Sequence, residues 1–274
     1  MTENTTKVVL ITGASSGIGQ ASAQYLYQKG YQVYGTSRTV QGRRSKGSHA
    51  AGVADFPMLQ MDVNSDTSVR RGVDHILKKE GRVDVVVNNA GIGIAGAVED
   101  TSLEEAHALF ETNVWGAFRV CKTVLPVMRD QRSGRIVTIG SIAGHIAVPF
   151  QGIYSASKFA LEGMIEALRM EVRPFGIHVV LVEPGDCCTR FTANRCKTIE
   201  SQHNQAYAKQ CDAAVEVMEY DEMHGLAPDK VARVLERIIR DPSPRLRYAV
   251  ASPPQKLAVV LKKTLPSALR SSRR

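Results

Sequence analysis

Short apolar runs alternate with longer segments of helical periodicity along most of the chain. Helices are predicted at 17–29, 65–79, 103–128, 154–173 and 231–240, and strands at 7–12, 31–37, 58–62, 83–88, 135–140, 177–183 and 246–250. The strand runs are apolar throughout and lack the polar alternation of a strand that has one face in solvent. The pattern therefore predicts an α/β fold, with helices on both faces of a doubly wound parallel sheet.

Two stretches depart from this alternation. Residues 186–225 show no strand pattern and follow directly after the strand 177–183. Doubly wound sheets bind ligands beyond the carboxyl ends of their strands, so we expect 186–225 to form a loop over a substrate. Within 103–128, Pro126 is predicted to kink or end the second helical segment. The 274 residues fit one large domain without repeats or a linker.

The positive charge of the chain is concentrated at its C-terminal end. No acidic residue follows Asp241, whereas eight basic residues do, namely Arg245, Arg247, Lys256, Lys262, Lys263, Arg270, Arg273 and Arg274. Removing these eight from the 35 basic residues leaves 27, which equals the acidic count of 27. A formally neutral body argues against a nucleic-acid-binding protein.

The basic tail, residues 253–274, allows two interpretations. Apolar positions recur at helical spacing between two proline sites, at Leu257, Val260, Leu261 and Leu265. Together with the neighbouring lysines they can form an amphipathic helix on an anionic membrane surface. We favour a helix docked on the body with its cations in water, because about ten residues are marginal as an isolated helix.

Composition narrows the class of protein further. The chain is 43% hydrophobic, yet no apolar stretch approaches the roughly 20 residues of a spanning helix. From the polar N-terminus we expect no secretory signal. Five cysteines, an odd number without metal-binding spacing, favour a reducing, cytoplasmic location. The seven histidines also lack ligand spacing, so no metal site is predicted.

A glycine-rich turn joins the first predicted strand to the first predicted helix. Gly13, Gly17 and Gly19 allow the backbone to approach a pyrophosphate closely, at a helix N-terminus that favours negative charge. Their spacing differs from the common Gly-x-Gly-x-x-Gly fingerprint, and a turn without a ligand is the alternative. In its strand–turn–helix context the motif predicts a dinucleotide site in a Rossmann-type domain over residues 1–252.

The end of the second strand indicates which nicotinamide cofactor is bound. NAD sites usually place an acidic residue there for the ribose 2′-hydroxyl. This chain has Ser37-Arg38 instead, followed by Arg43, Arg44 and Lys46. A guanidinium can hold a 2′-phosphate through two donors, so we expect NADP, bound through Arg38. The alternative is that Arg38 is a solvated loop charge.

Tyr154 and Lys158 are four residues apart and therefore share one face of a helix, thirteen residues after Ser141. A free tyrosine has a pKa of about 10, and a nearby ammonium favours the phenolate. We expect Lys158 to lower the pKa of Tyr154, so that Tyr154 donates a proton in reduction and accepts one in oxidation. Ser141 is expected to donate a hydrogen bond to the substrate oxygen.

These motifs together resemble the short-chain dehydrogenase/reductase family over roughly residues 7–250. Asn113, Ser141, Tyr154 and Lys158 match its catalytic tetrad in order and spacing. The remaining similar positions imply cofactor contacts at Gly13, Ser15, Ser16, Gly17, Ile18, Gly19, Asp62, Val63, Asn89, Ala90, Gly91, Pro184, Gly185 and Thr189. The resemblance also implies that Lys158 holds the nicotinamide ribose and that Asn113 holds a water. As a plain sequence feature, Asn113 can equally be a helix N-cap.

The segments 154–163, 173–177 and 246–248 resemble the steroid- and retinoid-active branch of the family. The expected pocket wall is apolar, formed by Ile142, Ile146, Val148, Phe150, Phe191, Met218 and Tyr220, and no charge cluster is expected beside it. His145 and His224 are candidates for its border. Cys187 and Cys188 are expected as small wall residues, with a strained vicinal disulfide as the alternative.

We therefore expect an NADP(H)-dependent carbonyl reductase or hydroxysteroid dehydrogenase that interconverts a lipophilic ketone and its secondary alcohol. A 3-oxoacyl-thioester reductase is the alternative enzyme, although the neutral body offers no basic patch for an acyl carrier. A non-catalytic nicotinamide-sensing protein is the alternative of another class, but a sensor need not retain the tetrad. By the resemblance, a homodimer or homotetramer is expected.

Overall fold

A computed structural model describes residues 6–39 and 56–264. Its main sheet contains the strands β1 Val8–Ile11, β2 Gln32–Ser37, β3 Met58–Gln60, β4 Val85–Asn88, β6 Gly134–Ile139, β7 Ile177–Pro184 and β9 Arg247–Val250. All neighbouring strands are parallel, in the order β3-β2-β1-β4-β6-β7-β9. The order runs outward from β1 in both directions, so the ligand crevice of a doubly wound sheet lies between β1 and β4. The predicted fold class is confirmed.

Helices cover both faces of this sheet. Their bounds are α1 Gly17–Gln28, α2 Asp66–Glu80, α3 Leu103–Phe110, α4 Gly116–Asp130, α5 Gly152–Val172, α6 Ala208–Met223, α7 Asp229–Arg240 and α8 Pro253–Thr264. A separate two-stranded parallel pair joins β5 Ile94–Ala95 to β8 Cys196–Lys197.

Strand β1 shows why the predicted strands lack polar alternation. Val8 and Leu10 pack into the core on the side of α2, α4 and α5, whereas Val9 and Ile11 pack into the core on the side of α1 and α7. Both faces of the strand are therefore shielded from water. Burial of each apolar side chain contributes roughly 1.5–3 kcal/mol to the stability of the fold. The layered core follows directly from the pattern of apolar residues.

The segment 186–225 is more ordered than the sequence pattern indicates. It contains α6, a sixteen-residue helix, as well as β8. Only Cys211 and Val215 of α6 are buried, so the helix carries almost no apolar periodicity that a sequence reading can detect. The expectation of an irregular loop is therefore wrong for residues 208–223.

Helix α4 also corrects an expectation. It continues through Pro126 to Asp130, so Pro126 does not end it. Val124 and Met128, on either side of the proline, are completely buried against the sheet. Their burial holds both turns in place and offsets the backbone hydrogen bond that the proline cannot donate.

The tail forms the helix α8, which contacts the body through its polar residues. Gln255 donates a hydrogen bond to Asp186, and the Lys262 ammonium lies 5.2 Å from the centre of the Phe159 ring. Leu257 and Val260 remain 57% and 55% exposed. These contacts agree with the favoured interpretation of a docked helix, the alternative of membrane contact stays untested, and Leu265 lies outside the described residues. Within 6–39 and 56–264, no helix combines the length and apolar character needed to cross a bilayer.

Candidate active site

The glycine-rich turn between β1 and α1 forms a cradle with little room for side chains. Gly13 and Gly17 have positive φ angles of 65° and 55°. A Cβ atom on Gly19 would lie 2.3 Å from the Asn89 side-chain nitrogen and 2.4 Å from the Gly13 carbonyl oxygen. Ser16, at the N-cap of α1, makes no side-chain capping hydrogen bond. The turn therefore presents a helix N-terminus to an incoming anion, as a dinucleotide pyrophosphate requires.

Thr12 and Asn89 lock this turn onto the end of β4. The Thr12 hydroxyl accepts hydrogen bonds from the backbone nitrogens of Asn89 and Ala90, both at 2.9 Å. The Asn89 amide donates to the carbonyl oxygens of Thr12 and Gly13 at 2.9 and 3.1 Å. Asn89 and Ala90 therefore hold the backbone of the glycine-rich turn in place. Thr12 also holds this turn, a role that was not predicted from the sequence.

Ser141, Tyr154 and Lys158 meet at the carboxyl end of β6. Ser141 follows the strand directly, while Tyr154 and Lys158 lie on successive turns of α5. The Lys158 ammonium donates a 3.2 Å hydrogen bond to the carbonyl oxygen of Ile139 and lies 5.7 Å from the centre of the Tyr154 ring. The Ser141 hydroxyl interacts with the Tyr154 phenol. The structure thus brings together the three side chains expected to act on a carbonyl oxygen.

The charges of Tyr154 and Lys158 are governed by burial. Burial raises the pKa of Tyr154 to about 12, although its hydrogen bond with Ser141 lowers it. Burial lowers the pKa of the Lys158 ammonium to about 8, against the opposing effect of the Glu162 carboxylate. The expected lowering of the Tyr154 pKa by Lys158 is not found in this structure, because the ammonium is directed at Ile139 and desolvation of the phenolate is the largest effect on the phenol.

Asn113 lies in a π-helical turn, Glu111–Trp115, between α3 and α4. Its side-chain oxygen accepts a 2.8 Å hydrogen bond from the backbone nitrogen of Ile92, and its amide donates to the Ile92 carbonyl oxygen at 3.0 Å. The amide also donates to the Ser157 hydroxyl at 3.3 Å. Since π-turns often mark functional positions, this geometry favours a site residue over the alternative of a helix N-cap.

The segment after β7 completes the rim of the cradle. The carbonyl oxygen of Pro184 accepts a 3.5 Å hydrogen bond from Ser141, and Gly185 donates to Val250 at 3.0 Å. A side chain on Gly17 would lie 3.3 Å from the Cβ of Thr189, so this segment closes over the glycine-rich turn. Cys187 is buried and Cys188 is exposed, and both thiols are free. The alternative of a vicinal disulfide is therefore absent here.

A cavity of about 440 Å³ lies at the end of β2 and β3. Arg38 and Asp62, both expected to contact the cofactor, line it together with Arg71 and His75 of α2. The nearby Val63 is buried. Arg71 and His75 were not predicted from the sequence. Their spacing of four residues places them on one face of a helix, but it does not show that this face lies beside Arg38. Arg43, Arg44 and Lys46 lie outside the described residues.

The apolar wall lies next to Tyr154 but differs in part from the expected set. Phe191 packs on the Tyr154 ring with 5.8 Å between ring centres, in a cluster with Ile94, Leu109 and Ala143. Phe150 packs instead against Ala95, Cys211 and Val215. Tyr220 is 60% exposed and stacks on His224, so neither belongs to this wall. His145 lies against Glu162 and Glu183 and does not border the wall as expected.

A buried ion pair beside this wall corrects the expectation that no charges lie there. The Arg195 side chain is 2% exposed, pairs with Glu222 of α6, and lies 5.8 Å from the centre of the Phe191 ring. Glu222 also accepts a 2.6 Å hydrogen bond from the Thr192 hydroxyl. The Nε and Nη1 atoms of Arg195 find no hydrogen-bond partner among the described residues. Two buried nitrogen atoms next to the wall therefore lack the hydrogen-bond partner that buried donors usually have.

Comparison with known proteins identifies this arrangement. A model of the short chain dehydrogenase family matches residues 7–200. The chain belongs to this family. It is 42% identical to the 3-ketodihydrosphingosine reductase of Bacteroides thetaiotaomicron over 260 residues, covering 95% of this chain and 93% of that protein. The short-chain dehydrogenase described here is therefore an oxidoreductase with the nicotinamide-binding fold of its family.

Other relatives confirm the resemblance to steroid- and retinoid-active members. Retinol dehydrogenase 8 of Bos taurus is 36% identical, with 88% of this chain and 80% of that protein covered. Human 17-beta-hydroxysteroid dehydrogenase type 1 is 34% identical, with 88% and 76% covered. A crystal structure of a short-chain dehydrogenase from Streptomyces avermitilis has a TM-score of 0.80 at 31% identity, covering 97% of this chain and 95% of that one.

Solved structures of related proteins hold either cofactor. ElxO with NADP bound has a TM-score of 0.72 at 26% identity, with 89% of this chain and 96% of that one covered. A family member from Burkholderia phymatum in complex with NAD has a TM-score of 0.78 at 27% identity, with 100% and 98% covered. The choice between the two cofactors therefore rests on the residues of this chain.

Proposed function

We propose that this oxidoreductase uses NADPH to reduce a lipophilic ketone to its secondary alcohol. The observation that carries the proposal is the meeting of Ser141, Tyr154 and Lys158 between the glycine cradle and the apolar cluster around Phe191. A ketone whose oxygen reaches Tyr154 has its remaining carbon skeleton beside apolar side chains. Each CH₂ group buried there contributes about 0.8 kcal/mol to binding.

The roles proposed for the side chains follow from their positions. The bound cofactor supplies the hydride. Tyr154 donates a proton to the carbonyl oxygen, and the Ser141 hydroxyl stabilises the negative charge that develops on that oxygen. Lys158 holds a positive charge near Tyr154 and remains anchored to the end of β6 through Ile139. Asn113 supports the segment at Ile92 and links it to α5 through Ser157.

The protonation state of Tyr154 fits its proposed role as the proton donor in reduction. A phenol with a pKa of about 12 carries its proton at neutral pH. A proton donor is ready for the reduction of a ketone, whereas oxidation of an alcohol requires the phenolate.

The preference for NADPH is supported by the cavity beside β2. Arg38, Arg71 and His75 line it, so at least two permanent cations adjoin the position expected for the ribose. Gln60 donates a 3.2 Å hydrogen bond to the Arg38 carbonyl oxygen and so ties this backbone to β3. A 2′-phosphate finds charge-assisted donors here, and Asp62 makes a local hydrogen bond to the backbone of Asn64.

The substrate proposed is amphipathic, with an oxygen-bearing group near its ketone. The unpartnered Arg195 donors lie next to the apolar wall, separated from Tyr154 by the Phe191 ring. A hydroxyl or carbonyl oxygen on the substrate satisfies such donors, whereas a hydrocarbon leaves them unpaired. The compound in the name of the relative from Bacteroides thetaiotaomicron, 3-ketodihydrosphingosine, is therefore the first ketone to assay, beside steroid and retinoid ketones.

Helices α4 and α5 expose apolar side chains that can pair with a second copy of the chain. We propose a homodimer or homotetramer that pairs through α4 and α5, which expose Phe118, Phe159 and Met170. Light scattering of the purified protein tests it, and a monomeric mass at micromolar concentration contradicts it. The proposed location is cytoplasmic, and no nucleic-acid partner is proposed.

The experiment that tests the function is a panel of ketones at fixed NADPH. The panel contains 3-ketodihydrosphingosine, a steroid ketone, a retinoid carbonyl compound, short aliphatic ketones and an acetoacetyl thioester. We expect kcat/KM to rise with apolar area up to the size that the pocket admits. Highest efficiency on the thioester supports the acyl-reductase alternative, and cofactor binding without turnover of any compound supports the sensor alternative.

A further inference from the structure

Four ionisable side chains form a cluster next to the candidate catalytic residues. His145 comes from the turn after Ser141, Glu162 from α5, Glu183 from β7 and Arg247 from β9. The Arg247 Nε atom lies 2.9 Å from Glu162 and 3.5 Å from Glu183, and the His145 Nε2 atom lies 3.1 Å from Glu183 and 3.9 Å from Glu162. Glu162 and Glu183 are only 7% and 4% exposed.

Each carboxylate adjoins a residue of the candidate site along the chain. Glu162 lies one helical turn after Lys158, and Glu183 directly precedes Pro184, whose carbonyl oxygen accepts the Ser141 hydrogen bond. A side chain on Gly140 would lie 3.3 Å from the Glu162 Oε1 atom, so this oxygen rests against the backbone just before Ser141. The cluster therefore touches the three segments that carry the proposed chemistry.

We propose that His145, Glu162, Glu183 and Arg247 form a positioning network that keeps Lys158 charged and fixes Ser141 relative to α5. Two buried carboxylates repel each other and are costly unless cations satisfy them. Arg247 reaches both from β9 through its Nε atom, and its Nη2 atom pairs with the half-exposed Glu166 at 2.7 Å. The network joins four separate segments of the chain at one point. The inference rests on the proposed function, because it assigns the network to Lys158.

The electrostatic effect on Lys158 follows from these contacts. Lys158 is buried, and Glu162 is the charged group that favours its ammonium form. Burial raises the pKa of Glu162, whereas the hydrogen bond from Arg247 lowers it and favours the carboxylate. The groups facing Glu162 are Lys158 on its own helix, His145, Glu183 on β7 and Arg247 on β9. Removal of the Glu162 charge should therefore release the Lys158 proton at lower pH.

Three members of the cluster also offer metal ligands within 4.8 Å of one another, through His145, Glu162 and Glu183. The Arg247 guanidinium already lies against both carboxylates. It therefore supplies the positive charge that a metal ion would otherwise supply there. We therefore assign the compensating charge to Arg247. Metal analysis of the purified protein, with and without chelator, examines the alternative directly.

The test compares Glu162→Gln with the parent protein. In the parent, both turnover and cofactor affinity should decrease above a pH of about 8 as Lys158 loses its proton. We call these two decreases, of turnover and of cofactor affinity, the alkaline limbs. In Glu162→Gln, both alkaline limbs should move to lower pH by about one unit, which is a tenfold change in the protonation equilibrium of Lys158. The limb of cofactor affinity is measured by calorimetric titration at several pH values and needs no substrate.

Glu166→Gln is the matched control, since it removes a carboxylate from the same helix and from Arg247 but leaves the buried cluster intact. It should leave both limbs within about 0.3 pH unit of the parent, an energy of about 0.4 kcal/mol. Arg247→Lys, which keeps the charge, should shift the limbs less than Arg247→Gln. Melting temperatures identify any variant that fails to fold.

If Glu162→Gln folds and its alkaline limbs do not shift, the proposed network is refuted. A stoichiometric metal ion whose removal abolishes cofactor binding also refutes it. If the parent binds cofactor but reduces no ketone on the panel, the proposed function fails while the affinity measurement still decides the network. The two ideas are therefore tested separately.

Discussion

Replacing Tyr154 by phenylalanine removes one oxygen atom and leaves the ring in place. The buried ring keeps its contact with Phe191, 5.8 Å away between centres. The lost hydrogen bond to Ser141 costs about 0.5–1.5 kcal/mol, but the phenylalanine ring also avoids burying a hydroxyl. We therefore expect the free energy of unfolding to change by no more than about 1 kcal/mol.

Catalysis should suffer far more than stability from this change. Loss of the proton donor should lower turnover by about 10²–10⁴-fold, which corresponds to about 2.7–5.5 kcal/mol of barrier. The assay is the loss of NADPH absorbance with the best ketone of the panel. Calorimetric titration of NADPH should show an affinity within a few-fold of the parent, because the glycine cradle and Arg38 are unchanged.

Tyr207→Phe provides the matched control for this experiment. Its phenol is at the surface and donates a 2.7 Å hydrogen bond to Glu99, far along the chain from Ser141 and Lys158. Turnover of Tyr207→Phe should equal that of the parent. If Tyr154→Phe retains turnover within tenfold of the parent at an unchanged melting temperature, Tyr154 is not the proton donor and the proposed mechanism is refuted.

Three other predictions concern pH, cofactor and substrate. The turnover of reduction should stay level up to a pH of about 8 and then fall, because the Lys158 ammonium is present below its pKa and lost above it. A pH–rate profile that keeps rising to about pH 10 contradicts this prediction. Arg38→Asp should abolish a preference for NADPH over NADH of roughly 10–150-fold, measured by titrating both cofactors, and an unchanged ratio excludes Arg38 as the determinant. The double variant Arg195→Met with Glu222→Gln, which leaves no unpaired buried charge, should lower kcat/KM by roughly 10–100-fold for a hydroxyl-bearing ketone and hardly at all for a hydrocarbon ketone. Equal losses on both ketones contradict a role of Arg195 in recognition.

The sequence alone determined the fold class and most of the candidate site of this short-chain dehydrogenase. Runs such as Val8–Ile11 are apolar at every position, which requires burial on both faces and hence a sheet between two helix layers. The spacing of Tyr154 and Lys158 places both side chains on one helical face, whatever surrounds that helix. These features are local, so they can be recognised without knowing the tertiary contacts.

The tertiary structure decided what depends on packing between distant segments. Arg195 meets Glu222 twenty-seven residues away, and Glu162 meets Arg247 eighty-five residues away, so no local spacing reveals either pair. Helix α6 was missed because only Cys211 and Val215 are buried. The pKa of Tyr154 rises because the fold removes water from the phenol, and the amount of water removed is set by how the elements pack around it.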